Sequence, residues 1–130
     1  MKNILFASNR SLAGKRIEEA LEETEHLIQV RDAAGAEAFI SHALPNVNLV
    51  ILDDDLSENG GQKALGQIRQ WTEKIPVIMI SESNNSEKVL KSFELGADDY
   101  IAFPISAALL KARIRAVMKR VYQDVNQEAK

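Results

Sequence analysis

The amino-acid sequence predicts an α/β domain in which helices cover both faces of a five-stranded parallel sheet, a doubly wound (βα)5 arrangement. Short apolar runs alternate along the chain with segments whose apolar residues recur at helical spacing. Three of the runs are apolar throughout instead of alternating, which is typical of strands buried on both faces of a parallel sheet. Each strand–helix unit takes about 25 residues, a length that suits this architecture.

The first three units begin with the apolar runs Ile4–Ala7, Leu27–Val30 and Leu49–Leu52, of which the third leads into three aspartates. Apolar residues at helical spacing predict a helix after each strand. These residues are Ala13, Ile17, Ala20 and Leu21, then Ala36, Phe39, Ile40, Ala43 and Leu44, then Ala64, Leu65, Ile68 and Trp71. Pro45 closes the second helix, and Gly60-Gly61 precedes the third.

The last two units begin with the strands Val77–Ile80 and Tyr100–Ala102. The fourth predicted helix has the stripe Val89, Leu90 and Phe93, with Gly96 as its C-cap, and the fifth has the stripe Leu110, Ile114, Val117, Val121 and Val125. We expect one domain over residues 1–122, followed by a C-terminal helix extension or tail over residues 123–130. The residues expected in the core are Ile4, Phe39, Leu49, Ile51, Ile68, Val77, Met79 and Leu110.

The composition excludes several classes of protein. Sixteen Lys and Arg against 19 Asp and Glu give a net charge of −3, which argues against direct binding of nucleic acid. The absence of cysteine excludes a disulfide scaffold and thiol catalysis. No apolar run approaches the ~18 residues of a membrane span, and the first residues lack a signal-peptide pattern. We therefore expect a cytoplasmic protein without membrane contact.

Polar residues follow the strands at the edge where functional groups gather in doubly wound domains. They are Ser8-Asn9, Asp53–Asp55, Ser81-Glu82 and, after the fifth strand, Phe103-Pro104. A carboxylate at the position of Asp53 can act as a nucleophile or bind a cation. It can equally belong to a solvated acidic loop that ends the strand, and position alone does not separate these interpretations.

Three motifs, in order and correctly spaced, are similar to those of the receiver domains of bacterial two-component response regulators. They are Asn48–Asp53, Ile75–Ser81, and Glu94–Ile101 followed by Pro104. The resemblance covers nearly all of residues 2–121 and implies the flavodoxin-like, CheY-like fold and a non-enzymatic role in phosphorelay signalling. The implied partners are proteins, namely a sensor kinase or an output domain. Residues Leu110–Val117 further resemble the last helix of receivers that are attached to DNA-binding output domains.

The resemblance assigns roles to individual residues. Asp53 matches the aspartate that accepts phosphate from a histidine kinase. Ser81 matches the hydroxyl residue that reaches toward the phosphoryl group. Tyr100 matches the aromatic residue that swings inward when that hydroxyl moves. Gly60-Gly61 matches the turn before the third helix.

The chain departs from the family at the positions that supply charge. Ser8 and Asn9 replace the acidic pair that holds Mg²⁺, and Phe103 replaces the lysine that pairs with the phosphoryl group. Only Asp53, the backbone carbonyl of Asp55, the amide oxygen of Asn9 and water remain as ligands, so we expect weak Mg²⁺ binding or none, and no other cofactor. Loss of a cation at a developing charge costs several kcal/mol.

Arg10 lies beside the altered acidic pair, and two interpretations of it remain. It can extend over Asp53 and form an ion pair where the metal would bind. Alternatively it is a solvent-exposed loop arginine, which is the interpretation that the sequence slightly favours.

Two functions of different classes follow. The favoured one is an atypical receiver that acts by protein–protein interaction with little or no phosphorylation. The alternative is an authentic Mg²⁺-dependent phosphoacceptor at Asp53. A flavodoxin-like cofactor binder shares the topology, but Ser8–Gly14 contains one glycine and no phosphate-binding loop.

The resemblance also implies a homodimer through the fourth predicted helix, the fifth strand and the fifth predicted helix. Two charged pairs of that family interface are retained, Asp99 with Arg113 and Asp98 with Arg120, while Val89 and Leu109 replace a third. Alternatively the two aspartates cap their loop and the two arginines lie on a solvated helix face. The apolar stripe through Val121 and Val125 favours association, because it extends beyond the expected core.

Overall fold

The computed structural model describes residues 2–32, 35–36, 38–39, 42, 46–83 and 85–128. Its centre is one five-stranded sheet in the order β2-β1-β3-β4-β5, with every neighbouring pair parallel. The strands are β1 (Lys2–Ala7), β2 (Glu25–Val30), β3 (Leu49–Asp53), β4 (Val77–Ser81) and β5 (Asp99–Ala102). The prediction of a doubly wound parallel sheet is confirmed.

The helices with complete bounds are α1 (Ser11–Ala20), α2 (Gly60–Trp71), α3 (Ser86–Glu94) and α4 (Ala107–Glu128). A 3-10 turn over Ser57–Asn59 precedes α2. The fourth and fifth predicted helices are therefore α3 and α4. Within the second predicted helix, Ala36 and Phe39 are helical, whereas Ile40, Ala43, Leu44 and Pro45 lie outside the described residues.

Two apolar layers form the core, one on each face of the sheet. Successive residues of β1 alternate between them, so that Ile4 packs beneath α1 and α4 while Leu5 packs beneath α2. Leu110 and Ile68 are buried in these two layers, as predicted. Of the eight predicted core residues, only Phe39 differs, because it is half-buried at the margin of the second layer.

The apolar stripe of α3 does not face the core. Leu90 is 61% exposed and Phe93 46% exposed, and Ser92 is the buried residue of this helix. The reason is that α3 lies over β5, an edge strand, and turns a narrow side toward the sheet. Trp71, the last residue of the stripe predicted for α2, is likewise exposed to solvent.

The carboxyl ends of β1, β3 and β4 meet at one edge of the sheet. The predicted third and fourth strands ended at Leu52 and Ile80. In the structure β3 and β4 each extend one residue further, so Asp53 and Ser81 are their last residues. The Asp54 N–H extends the ladder by donating to the Ile80 carbonyl over 2.8 Å. The acidic loop, which Asp54 and Asp55 form after β3, is thereby fixed against β4. In the described part of the chain, every helix falls short of the length and apolar character that a membrane crossing requires.

Candidate functional site

Asp53 is completely buried at the end of β3, and each of its carboxylate oxygens accepts a hydrogen bond. The Ser8 hydroxyl, at the end of β1, donates to Oδ2 over 2.6 Å. The backbone N–H of Asp55 donates to Oδ1 over 2.8 Å. The carboxylate is therefore held in one orientation by protein groups.

Arg10 lies over this carboxylate and is half-buried. Its Nε is 3.4 Å from Asp53 Oδ2, one terminal nitrogen contacts Asp55 Oδ2, and the other is 3.3 Å from Glu82 Oε1. Although burial alone would lower the pKa of the guanidinium, the hydrogen bond to Asp55 and the surrounding carboxylates raise it. The solvent-exposed interpretation of Arg10 is wrong, because the ends of two strands, β3 and β4, bring three carboxylates around this one cation.

Asp55 is the most heavily hydrogen-bonded acid of the loop. Its Oδ1 accepts the Ser81 hydroxyl over 2.9 Å, and its Oδ2 accepts the Glu82 N–H over 2.9 Å in addition to Arg10. Burial opposes ionisation, but these donors together hold the pKa of Asp55 below its usual value. Asp55 therefore stays charged and joins β3, β4 and the loop after β1.

Asp54 points to the other side of the loop and is buried. Its Oδ2 accepts the Tyr100 hydroxyl over 2.5 Å, while its Oδ1 has no hydrogen-bond partner among the described residues. Burial and the negative charges of Asp55 and Asp53 raise the pKa of Asp54. Lys88 of α3 contacts the backbone carbonyl of Asp54 over 3.4 Å. Tyr100 is half-buried, and its hydroxyl is tethered to the acidic loop by Asp54.

The residues around Asp53 do not fit a magnesium site. The carboxylates of Asp53 and Asp55 both contact the Arg10 guanidinium, which occupies the space that a cation would need. Asn9 is exposed at the loop surface. Within the described ranges, no group of three or more metal-binding side chains is arranged to hold an ion. Phe103 is half-buried and packs against the apolar core beneath α4.

The residues of the predicted dimer face form pairs within one chain. Arg113 makes two hydrogen bonds to the Asp99 carboxylate, of 2.9 and 2.8 Å. The Asp98 carboxylate accepts from Arg69, and Arg120 donates to the Asp98 backbone carbonyl over 2.9 Å. Asp98 is thus held by Arg69 of α2, a residue that the sequence did not indicate.

Apolar side chains line a groove of about 430 Å³ between α3 and β5. Val89 and Tyr100 are half-buried in it, and Leu90 and Phe93 lie at its exposed margin. Leu109, in the first turn of α4, is also exposed.

The apolar stripe at the end of α4 is only partly described. Val121 packs against the core beneath α4, so it contributes less to association than the sequence suggested. The side chain of Val125 lies outside the described residues. The argument for association therefore depends on the groove and its margin.

Sequence patterns missed Asp54 and Lys88, because nothing in a run of three aspartates distinguishes the one that faces inward. Asp54 lies in the turn that follows β3, so the alternation of side chains along a strand does not predict its direction. In the structure Asp54 meets Tyr100, whereas Asp53 and Asp55 meet Arg10.

Comparison with known proteins agrees with the fold. The family profile of the response regulator receiver domain matches residues 4–115. The transcriptional regulatory protein YvrH of Bacillus subtilis is 34% identical over 122 residues, which cover 93% of this chain and 51% of that protein. The chain spans about half the length, or less, of the curated relatives that it matches first.

Two solved structures show the same fold. The CheY-like receiver domain protein of Methanospirillum hungatei has a TM-score of 0.85 at 22% identity and covers 95% of this chain and 98% of that chain. NtrX of Brucella abortus has a TM-score of 0.87 at 24% identity and covers 99% of this chain and 29% of that chain. With the profile matching most of its length, the chain belongs to the response regulator receiver domain family.

Proposed function

We propose that this chain is an atypical receiver that signals through protein–protein contacts with little or no phosphorylation of Asp53. The observation that supports this most directly is the position of Arg10, whose guanidinium contacts Asp53, Asp55 and Glu82. A permanent side-chain cation neutralises the acids that would otherwise attract a divalent ion.

Phosphoryl transfer to a carboxylate depends on positioning and on stabilisation of the developing charge. Here Oδ2 of Asp53 already accepts a hydrogen bond from Ser8 and faces Arg10, so a phosphoryl donor would have to displace both contacts. Phe103 supplies no positive charge at the position where the family has lysine. Since these effects act on the same step, we expect Asp53 to be phosphorylated orders of magnitude more slowly than the aspartate of a receiver that has the acidic pair and the lysine.

Intact-mass measurement after treatment with acetyl phosphate and Mg²⁺ tests this proposal. We expect the mass to remain that of the untreated protein, with Asp53→Asn as the control for any adduct elsewhere. A stoichiometric phosphate adduct that disappears in Asp53→Asn would establish the alternative function, an authentic phosphoacceptor.

The proposed partners are proteins, namely a sensor kinase or an output domain, and a second copy of this chain. Exposed Leu90 and Phe93 of α3 line the same groove as Val89 and Tyr100, and Leu109 adds an exposed apolar side chain on α4. Burying such side chains contributes about 1–3 kcal/mol each. We place the protein in the cytoplasm and assign it no direct contact with nucleic acid.

A further inference from the structure

A cavity of about 600 Å³ opens at the edge of the sheet opposite to the acidic loop. Its walls come from the first residue of β1, the residue that precedes β3, and the second half of α4. Cavities of this size accommodate small organic ligands. The lining residues are Lys2, Asn48, Arg115, Met118, Lys119 and Tyr122.

Three of these six side chains are cations. Lys2 and Lys119 are exposed, and neither forms an ion pair within the described part of the chain. Arg115 is bound to the Glu25 carboxylate, but its Nε is buried without a hydrogen-bond partner among the described residues. Glu22 Oε1 is 3.6 Å from that nitrogen, which is too long for a hydrogen bond. The cavity therefore offers positive charge and an unused donor.

The remaining wall of the cavity is largely apolar. The Tyr122 hydroxyl donates to the Asn48 carbonyl over 2.7 Å, which fixes the ring beside the cations. Lys2 Nζ lies 5.8 Å from the centre of that ring, near the outer limit of a cation–π contact. Met118 is buried next to them in the same helix. The ring and the thioether can pack against an apolar group while the cations hold an anion.

We propose that this cavity binds a nucleoside phosphate, with the phosphate oxygens on the three cations and the base against Tyr122 and Met118. Charge-assisted hydrogen bonds to phosphate are the strongest that such side chains make. A purely inorganic anion leaves the aromatic wall in water, and a neutral apolar molecule leaves the cations unmatched. The buried Glu25 carboxylate does not repel the anion, because Arg115 neutralises it.

The site is independent of the phosphoacceptor position. Lys2 begins β1 and Asn48 precedes β3, whereas Asp53 is the last residue of β3. The length of the strands therefore separates the two. The inference goes beyond the proposed function and does not depend on phosphorylation of Asp53.

The test is an NMR titration of the wild-type chain with ADP, without divalent cations, followed at the backbone amides of Asn48 and Tyr122. We expect a dissociation constant below about 1 mM. Adenosine and pyrophosphate, which each carry half of the recognised chemistry, should bind at least about tenfold more weakly.

Two charge reversals on α4 separate a site from general attraction to a basic helix. Lys119→Glu is expected to weaken ADP binding about tenfold or more, because it removes a phosphate contact. Lys111→Glu is the matched control, since Lys111 is exposed on the same helix but does not line the cavity. It should change the affinity by less than about twofold, because salt screens exposed charges.

The inference is overturned if ADP at about 10 mM leaves both amides unshifted. It is also overturned if Lys111→Glu weakens binding as much as Lys119→Glu, or if pyrophosphate binds as tightly as ADP. Both lysines are exposed, so either variant should keep the fold, which unchanged amide spectra elsewhere in the chain verify. None of these outcomes bears on Asp53, whose phosphorylation the mass measurement tests separately.

Discussion

At the scale of single residues, Arg10 shows how one side chain changes the chemistry of a shared fold position. Its guanidinium contacts Asp53, Asp55 and Glu82, whose side chains range from buried to exposed. Buried carboxylates are costly unless they are paired and hydrogen-bonded, and Arg10 supplies both conditions at once. A metal ion would also supply positive charge but would dissociate, whereas Arg10 remains.

Replacing either of two serines by alanine is expected to change the free energy of unfolding, but in opposite directions. Ser92 is completely buried in α3, and its Oγ has no hydrogen-bond partner among the described residues. Since an unsatisfied buried hydroxyl costs about 1–3 kcal/mol, we expect Ser92→Ala to raise the free energy of unfolding by about 1 kcal/mol. Urea denaturation measures the change, and a loss of stability would contradict the buried, unpaired hydroxyl.

Ser106 is the matched control for that substitution. Its Oγ accepts the Leu109 N–H over 3.1 Å in the first turn of α4. Removing such an N-terminal cap costs about 0.5–2 kcal/mol, so Ser106→Ala is expected to lower the free energy of unfolding. If both serine variants changed stability in the same direction, hydrogen bonding would not explain either result.

At the scale of elements, the start of α2 is fixed by its close approach to the end of β3. A Cβ atom on Gly61 would lie 2.5 Å from the backbone carbonyl oxygen of Asp53. Backbone cannot yield as a flexible side chain does, so the glycine permits α2 to begin directly against the site. The Asn59 backbone before it has a φ of 57°, in the left-handed region.

Two glycines of α2 therefore respond differently to alanine. Gly61→Ala forces the helix and the Asp53 backbone apart, and we expect a loss of about 1–3 kcal/mol in unfolding free energy. A Cβ atom on Gly66 would have nothing within 4 Å of it, so Gly66→Ala is expected to gain about 0.5–1 kcal/mol through helix propensity. Thermal or urea unfolding compares the two, and a Gly61→Ala chain as stable as Gly66→Ala would refute the close approach.

At the scale of the whole molecule, a partly buried ion pair joins β2 to the C-terminal helix. Arg115 of α4 donates to Glu25 over 2.9 Å through one terminal nitrogen and contacts it through the other. Burial opposes the charge of Glu25, but the hydrogen bonds from Arg115 lower its pKa below the unfolded value of 4.5. The pair connects residues 90 positions apart in the chain.

The sign of the pH dependence follows from that lowered pKa. The stabilisation is fully present above pH 4.5 and is lost as the pH falls through the lower pKa of the folded chain. Arg115→Gln is expected to lower the free energy of unfolding by about 1–3 kcal/mol at pH 7. The variant should also lose less stability than wild type as the pH falls, which urea unfolding from pH 7 to 3 measures. Arg16→Gln, which breaks the exposed Arg16–Glu19 pair, should change stability by less than about 0.5 kcal/mol. Parallel pH profiles for wild type and Arg115→Gln would contradict the expectation.

Self-association belongs to the same scale. We expect a dimer through α3, β5 and α4 with a dissociation constant of tens of micromolar, which is the affinity of a weak interface. Because the centre of this interface is apolar, association should depend little on salt.

Sedimentation equilibrium should show that Val89→Asp abolishes the dimer and that Arg113→Glu weakens it. Trp71→Asp, which changes an exposed apolar residue on α2, should have no effect. A monomer at these concentrations, or a dimer indifferent to Val89→Asp and Arg113→Glu, would exclude this face.

Local patterns in the sequence were sufficient to predict the sheet, its buried strands and the edge at which the polar residues gather. Continuous runs such as Leu49–Leu52 and stripes such as Ala64–Ile68 are local patterns, so they are readable without knowledge of distant contacts. Their positions also placed Asp53 and Ser81 at the carboxyl ends of two consecutive strands. That much follows from periodicity and from the parallel order of the units.

Which polar groups meet depends on how the strands and loops are arranged in three dimensions. The strand order places β1 and β4 on either side of β3, so Arg10 and Ser81 both reach Asp55, and Asp54 turns toward Tyr100. Partners such as Arg10 and Asp55 are 45 residues apart in sequence, and local pattern carries no information about which of several nearby acids a cation will contact. Packing against the edge strand likewise put Ser92 inside and Leu90 outside. Charge pairing depends on distances across the sheet, whereas strand and helix formation depends on neighbours along the chain.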